Sequence, residues 1–259
     1  VFRKIFALPT EATLGLSATP ERQYDDGLNE ILVPNLGPVI FNYTYKEAMV
    51  DKVIVPFSLH NVVFNFDPEE QKKYTRLTNG IQASIKKNGM ESPETIALLL
   101  KRARLSNSSP TRVTVTLRIV AQNRSKKILV FHEDVVACEM IHKALTHFGV
   151  SSGIYHSQMS LKLRVETLAA FRAGETQVLV SCRALDEGFN VPETEVGIIA
   201  ASTATHRQRV QRLGRVLRPS SGKERAAIYS IVAAPGEIRR LAEEATNLEG
   251  LAEVTWSKA

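Results

Sequence analysis

Short apolar runs rich in β-branched residues alternate with longer stretches of helical period through the second half of this chain. The runs KKILVF (126–131), SGIYH (152–156), TQVLVS (176–181), EVGIIAA (195–201) and AAIYSIV (226–232) carry the signature of a parallel sheet covered by helices. Each is followed by a predicted helix. After the first run, Val135, Met140, Ile141, Ala144 and Leu145 form an apolar stripe. After the second, Leu161, Val165 and Leu168 stand at i, i+4 and i+7. Ser160 is placed to cap that helix, and Gly174 to end it with a left-handed residue. Residues 126–232 therefore predict one doubly wound α/β domain.

The residues before 126 follow another pattern. ATLGLSA (12–18) predicts a short strand and DDGLNEIL (25–32) a helix, after which Pro34, Gly37 and Pro38 break the pattern as a linker does. A boundary is placed there, with 1–36 as one unit and 37–250 as another. VIVPFSLHNVVFNF (53–66) reads as strand, Pro56 implying an edge or a bulge. Asp67 and Pro68 open a helical stretch with Glu69 and Glu70 in its first turn. Helix is predicted from there to about Val120 with a break at NSSP (107–110), which sets a helical insertion at 67–123. Beyond Gly236 the pattern is helical and acidic, and 251–259 predict a loose tail.

Composition narrows the class. With 259 residues, 44% hydrophobic and 23% charged, the chain can bury a full core, which excludes collagen-like, low-complexity and disordered readings. No apolar run reaches the roughly 20 residues of a membrane span, and no signal peptide opens the chain, so an intracellular, aqueous compartment and no membrane partner are expected. Two cysteines, Cys138 and Cys182, are too few to frame a disulfide scaffold. The chain opens on Val1 rather than Met, which predicts a longer parent.

The net charge of +6 is unevenly spread. From Lys101 to Lys127 there are basic residues and no acidic ones, a run that reads first as a solvated helix face. A second cluster, Arg207, Arg209, Arg212, Arg215, Arg218, Lys223 and Arg225, is interrupted by Glu224 alone. Within it, QRVQRLGRVLRP (208–219) can be laid on a helix at about 100° per residue. Gln208, Gln211, Arg212, Arg215 and Arg218 then share one face, and Val210, Leu213 and Leu217 the other. Arginine keeps its charge and offers a planar fork to phosphate oxygens, so such a row facing a cleft can neutralise charge during phosphoryl transfer. Gly214 lets a backbone or ligand come close.

QRLGRVLR (211–218) resembles motif VI of superfamily 2 helicases and translocases, Gln-Arg-x-Gly-Arg-x-x-Arg. Its neighbours fall in the family's order: LGLSATP (14–20) resembles motif III, ILVFHED (128–134) motif IV, and VLVSCRALDEGFNVP (178–192) the region of motif V. YHSQMSLKLRVETLAAFRAGETQVLVS (155–181) matches the usual approach to motif V. The resemblance implies a RecA-like doubly wound lobe with a helical insertion, preceded by the end of another RecA-like lobe. It implies that Arg215 and Arg218 are arginine fingers reaching ATP across the cleft between lobes. Gln211 and Arg212 would lie beside the phosphates, and Gly188 and Asn190 near the nucleotide. Ser181 and Cys182 would lie near the nucleic-acid backbone, with Ser181 the better donor because many relatives have threonine where Cys182 stands. His132 and His156 are further candidates for strand contacts. Ser17 and Thr19 would couple nucleotide state to nucleic-acid grip.

Absences matter as well. No Gly-x-x-x-x-Gly-Lys-Ser/Thr phosphate loop is present, and Gly222-Lys223 is followed by Glu224. Asp186 and Glu187 fall inside the motif V match and read as part of a turn, not as a Mg²⁺ site. Mg²⁺ is therefore expected mainly on the part of the first lobe that this chain does not contain. Cys138 and His142 lack a second close pair, so no metal site is predicted, and Glu133 and Asp134 read as the start of a helix. The expectation is the C-terminal motor lobe of an ATP-dependent helicase or translocase. DNA is favoured over RNA because 37–59 and the DPEEQKKY helix look more like the XPB-like and restriction-translocase branches than DEAD-box helicases. The alternatives are an RNA remodeller with the same motor and an ATP-independent nucleic-acid-binding or regulatory module.

Overall fold

The computed structural model describes residues 2–17, 20, 26–182, 191, 193–201 and 206–259, with side chains described except at 2–4, 206–208, 210, 211 and 247. Seven strands among them, β1 (Phe57–Val63), β2 (Ile128–His132), β3 (Ser152–His156), β4 (Val178–Cys182), β5 (Val196–Ile199), β6 (Ala226–Val232) and β7 (Glu253–Lys258), form one sheet. Its order is β3-β4-β2-β5-β6-β1-β7 and every pairing is parallel. The helices are α1 (Val33–Leu36), α2 (Tyr45–Val50), α3 (Pro68–Asn88), α4 (Pro93–Asn107), α5 (Pro110–Gln122), α6 (Val135–His147), α7 (Leu161–Ala173), α8 (His206–Val216) and α9 (Pro235–Asn247).

The apolar runs become strands because both faces of the sheet are covered. Every residue of β2, β4 and β5 is buried. Alternate side chains serve opposite faces. Leu129, Phe131, Leu179 and Ile199 pack with Phe171 of α7 and with Leu213, Val216 and Leu217. Ile128, Val130, Val178, Val180 and Ile198 pack with Val115 and Ile119 of α5 and with Cys138, Ile141 and Leu145 of α6. Gly197 sets how closely α8 lies on the sheet: a Cβ there would stand 2.8 Å from a Val216 methyl.

Local signals act as their chemistry predicts. Asp67 accepts from the amides of Glu69 and Glu70, and Glu70 reaches back to the Asp67 amide, closing a capping box. Ser160 caps α7, and Gly174 ends it at φ 81°, ψ 4°.

Several expectations are corrected. Residues 12–17 form no strand, and Leu14 and Leu16 are exposed, because no strand of the sheet lies beside them to take their backbone hydrogen bonds. Pro56 marks neither an edge nor a bulge: it stands just before β1, and its carbonyl accepts from the Ala226 amide. The strand it precedes is flanked on both sides, because the expected loose tail is β7, paired in parallel with β1. The helix predicted from 67 is interrupted at Gly89, φ 83°, and restarts at Ser92, whose hydroxyl caps α4. The α7 stripe is not a core stripe, since Leu161 and Val165 are exposed and Phe171 is the fully buried side chain. In α6 the buried positions are Ala137, Cys138, Ile141 and Leu145, while Met140 faces solvent.

Candidate functional site

A parallel sheet brings its carboxyl ends to one edge, where open α/β folds bind ligands. Here β3, β4 and β2 end in register at His156, Cys182 and His132. All three are buried, as is Ser181. The Ser181 hydroxyl, His132 Nε2 and His156 Nδ1 have no hydrogen-bond partner among the described residues. The strand-end candidates are thus brought together, with Ser181 and Cys182 between the two histidines.

His132 accepts from the Asp134 amide through Nδ1 at 3.0 Å, which places its proton on Nε2. Burial, reinforced by the Arg112 charge, pushes its pKa down to about 4, against the opposing pull of Asp134 and Glu133. Cys138 lies beneath this edge, fully buried, and its thiol is pushed up by a hydrogen bond with Cys182 and by burial. Asp134 caps α6 by accepting from Ala137. Its neighbour Glu133 does something the sequence did not suggest: it pairs with Arg212 at 2.5 Å, both side chains nearly excluded from water.

That pair gives one arginine of the α8 face a structural partner as well. Arg212 is 1% exposed, bound to Glu133 and packed over the Phe131 ring at 5.5 Å. Arg215 is also buried, at 7% exposure, whereas Arg218 lies just beyond the helix with its side chain exposed. The apolar side matches expectation, with Leu213, Val216 and Leu217 in the core. A Cβ on Gly214 would meet nothing within 4 Å. Arg209 pairs with Glu244 of α9 and donates to Ser230 of β6 at 3.0 Å, so a second arginine of the string is also a tether.

Two further cations were missed. Arg112, expected on a solvated face, is fully buried. It donates to the carbonyls of Ser106, Ala200 and Ile231 at 2.7, 2.8 and 2.5 Å and to both Glu237 carboxylate oxygens at 2.8 and 2.9 Å. It ties α5 to the carboxyl ends of β5 and β6 and to the start of α9. Lys223, noted in the sequence for failing to match a phosphate loop, is buried and donates to the carbonyls of Val216 and Arg218 at 2.5 and 2.7 Å. The residues next to either cation in sequence are polar or only partly buried, so nothing local separates them from solvated neighbours.

The other cations of the first basic run are dispersed. Arg102 packs over Tyr74 and donates to Thr78, Lys126 pairs with Glu195, and Lys127 donates to the Arg172 carbonyl. Ser17 is exposed and, among the described residues, lies outside any helix or strand. Thr19, Gly188 and Asn190, with Asp186 and Glu187, lie outside the described residues, as does the side chain of Gln211.

Residues 111–220 match the model of the helicase conserved C-terminal domain. The DNA 3'-5' translocase XPB2 of Sulfurisphaera tokodaii is 27% identical over 237 residues, covering 84% of this chain and 52% of that protein. The DNA 3'-5' helicase XPB of Kineococcus radiotolerans is 24% identical over 233 residues, covering 90% of this chain and 38% of that protein. The chain thus spans about half or less of the length of these relatives. The Sulfolobus solfataricus SWI2/SNF2 ATPase core in complex with dsDNA has a similar fold, with a TM-score of 0.57 at 16% identity over 88% of this chain and 52% of that one.

Proposed function

We propose that the chain, which matches the helicase conserved C-terminal domain over residues 111–220 and is similar to XPB-type relatives, is a superfamily 2 RecA-like lobe, the second motor lobe of an ATP-dependent DNA helicase or translocase. The observation that carries the reading is the tethering of α8 at the carboxyl edge of the sheet through Arg212 and Glu133. A helix pinned in that way presents Arg215 and Arg218, three residues apart, from one fixed turn. In this reading residues 1–36 are the end of a first RecA-like lobe and the linker, and the rest of that lobe is the main partner.

The donor set suits a nucleotide's phosphates: guanidinium groups on and just beyond a helix, beside a glycine with open space where a side chain would be. Bound ATP supplies the phosphoryl group whose transfer builds negative charge. Arg215 and Arg218 stabilise that charge when the lobes close, Arg212 holds their helix in place, and Gly188, Asn190 and Gln211 complete the nucleotide side. The Mg²⁺-binding carboxylates belong to the first lobe. Ser181 is the donor to a nucleic-acid phosphate, its hydroxyl lacking a partner among the described residues. Cys182 and the two histidines shape the edge around it. Ser17 and Thr19 belong to the coupling segment between the lobes.

The test is ATP turnover by the full-length protein with duplex DNA, single-stranded DNA and RNA. Stimulation by DNA is expected. Stimulation by RNA alone overturns the DNA assignment, and absence of turnover with every nucleic acid overturns the motor in favour of a binding module.

A further inference from the structure

The last carbonyls of an α-helix have no partner within the helix and must find one elsewhere. At the last residue of α8 and just beyond it, three successive carbonyls are all taken, by two different parts of the chain. The Leu217 carbonyl accepts from the Val55 amide at 2.9 Å, from the segment leading into β1. Those on either side, of Val216 and Arg218, accept from the Lys223 ammonium. Lys223 is brought back onto the helix by a tight turn in which its own amide donates to the Ser220 carbonyl at 3.1 Å and Gly222 adopts φ 77°. A cation at this position also meets the negative end of the helix dipole. The clamped backbone, 216–218, joins Arg215 to Arg218.

We propose that Lys223 is a positioning residue for the arginine pair, its ammonium holding the backbone between Arg215 and Arg218 in the register that aims both side chains. This rests on the finger reading above. Lys223 does not touch the reacting atoms; it acts through the two carbonyls.

The clamp is titratable. Burial pushes the Lys223 pKa down to about 8, while Glu195 and Glu193, in the segment entering β5, pull it back up. Glu195 is itself paired with Lys126. Above that pH the amine retains N–H groups but loses its charge–dipole attraction to the helix end, so the register loosens in a range accessible to assay.

The experiment compares wild type, Lys223→Met, Lys223→Arg and Arg215→Ala in the full-length protein. It measures nucleic-acid-stimulated turnover and KM for ATP from about pH 6.5 to 9.5, and amide hydrogen exchange over 213–220. Misplacement of catalytic groups by about 1 Å can lower rates by up to roughly 10²-fold. Lys223→Met is expected to lower kcat at least about tenfold with little change in KM, and to speed exchange at the end of α8. Wild type should lose turnover on an alkaline limb near pH 8, which Lys223→Arg abolishes while keeping kcat at neutral pH. If Lys223→Met fails to fold, the Lys223→Arg pH profile alone decides. Wild-type kcat in Lys223→Met, or an alkaline limb unchanged in Lys223→Arg, overturns the inference. If Arg215→Ala is inactive in that case, the finger reading survives; wild-type turnover in Arg215→Ala removes both.

Discussion

Arg212, in the middle of α8, donates to Glu133, the residue directly after β2, across 2.5 Å with side-chain exposures of 1% and 3%. Two charges removed from water at one contact make the arginine a structural tie as well as a member of the motif VI string. Breaking such a pair from one side leaves the other charge buried and uncompensated, which costs about 3–5 kcal/mol. Glu133→Leu is therefore expected to destabilise the chain by that amount in urea unfolding. Glu133→Leu with Arg212→Met should recover most of the loss, since an apolar pair of similar volume is tolerated. Recovery of stability without recovery of turnover would separate the tie from the catalytic geometry.

A second buried cation joins α5 to the sheet and to α9. Arg112 uses all three guanidinium nitrogens, on Ser106, Ala200, Ile231 and Glu237, and lies over the Phe64 ring at 5.2 Å. A lysine ammonium cannot span partners on four elements, so Arg112→Lys is expected to lose about 2–4 kcal/mol, close to the loss from Arg112→Met. Equilibrium denaturation of the two variants checks this; a lysine variant as stable as wild type would show that charge alone suffices.

How far the sequence could be read follows from which interactions are local. Caps such as Asp67 and Ser160, and the sheet-forming runs, depend on residues a few positions apart or on burial of whole segments, and they were legible. β7 was not: residues 253–258 include Glu253, Thr255 and Ser257 and carry no buried apolar run, and the strand exists because β1 offers it an edge nearly two hundred residues away in sequence. The site divides in the same way. Spacing found the α8 string, and the motif resemblance pointed to Ser181, Cys182, His132 and His156 at the strand ends, but the partners that fix α8, Glu133, Glu244 and Lys223, arrive through the fold.

Arg215 and Arg218 differ in exposure, and that difference predicts different secondary effects. Arginine fingers contribute roughly 10³-fold or more to turnover, so Arg215→Ala and Arg218→Ala in the full-length protein should each lower kcat by about that factor while ATP still binds. Arg215 is buried, so its removal should also lower stability, and by more than removal of the exposed Arg218. Unchanged turnover in both variants would remove the finger assignment.

Acid should expose the role of His132. Its folded pKa, about 4, lies below the ordinary value of 6.5 because burial, helped by Arg112, disfavours the charged ring. Between those values the unfolded chain binds a proton that the folded chain refuses. Stability from this residue is therefore intact above about pH 6.5 and is lost as pH falls toward 4, by about 3 kcal/mol in all. Protonation at Nδ1 would also remove the acceptor used by the Asp134 amide at the start of α6. His132→Asn keeps an acceptor there and cannot titrate. In urea unfolding from pH 7.5 down to 4.5, wild type should lose stability more steeply than His132→Asn, the two curves converging or crossing at the acid end. Parallel curves would place the acid sensitivity of this edge on other groups and leave His132 as packing alone.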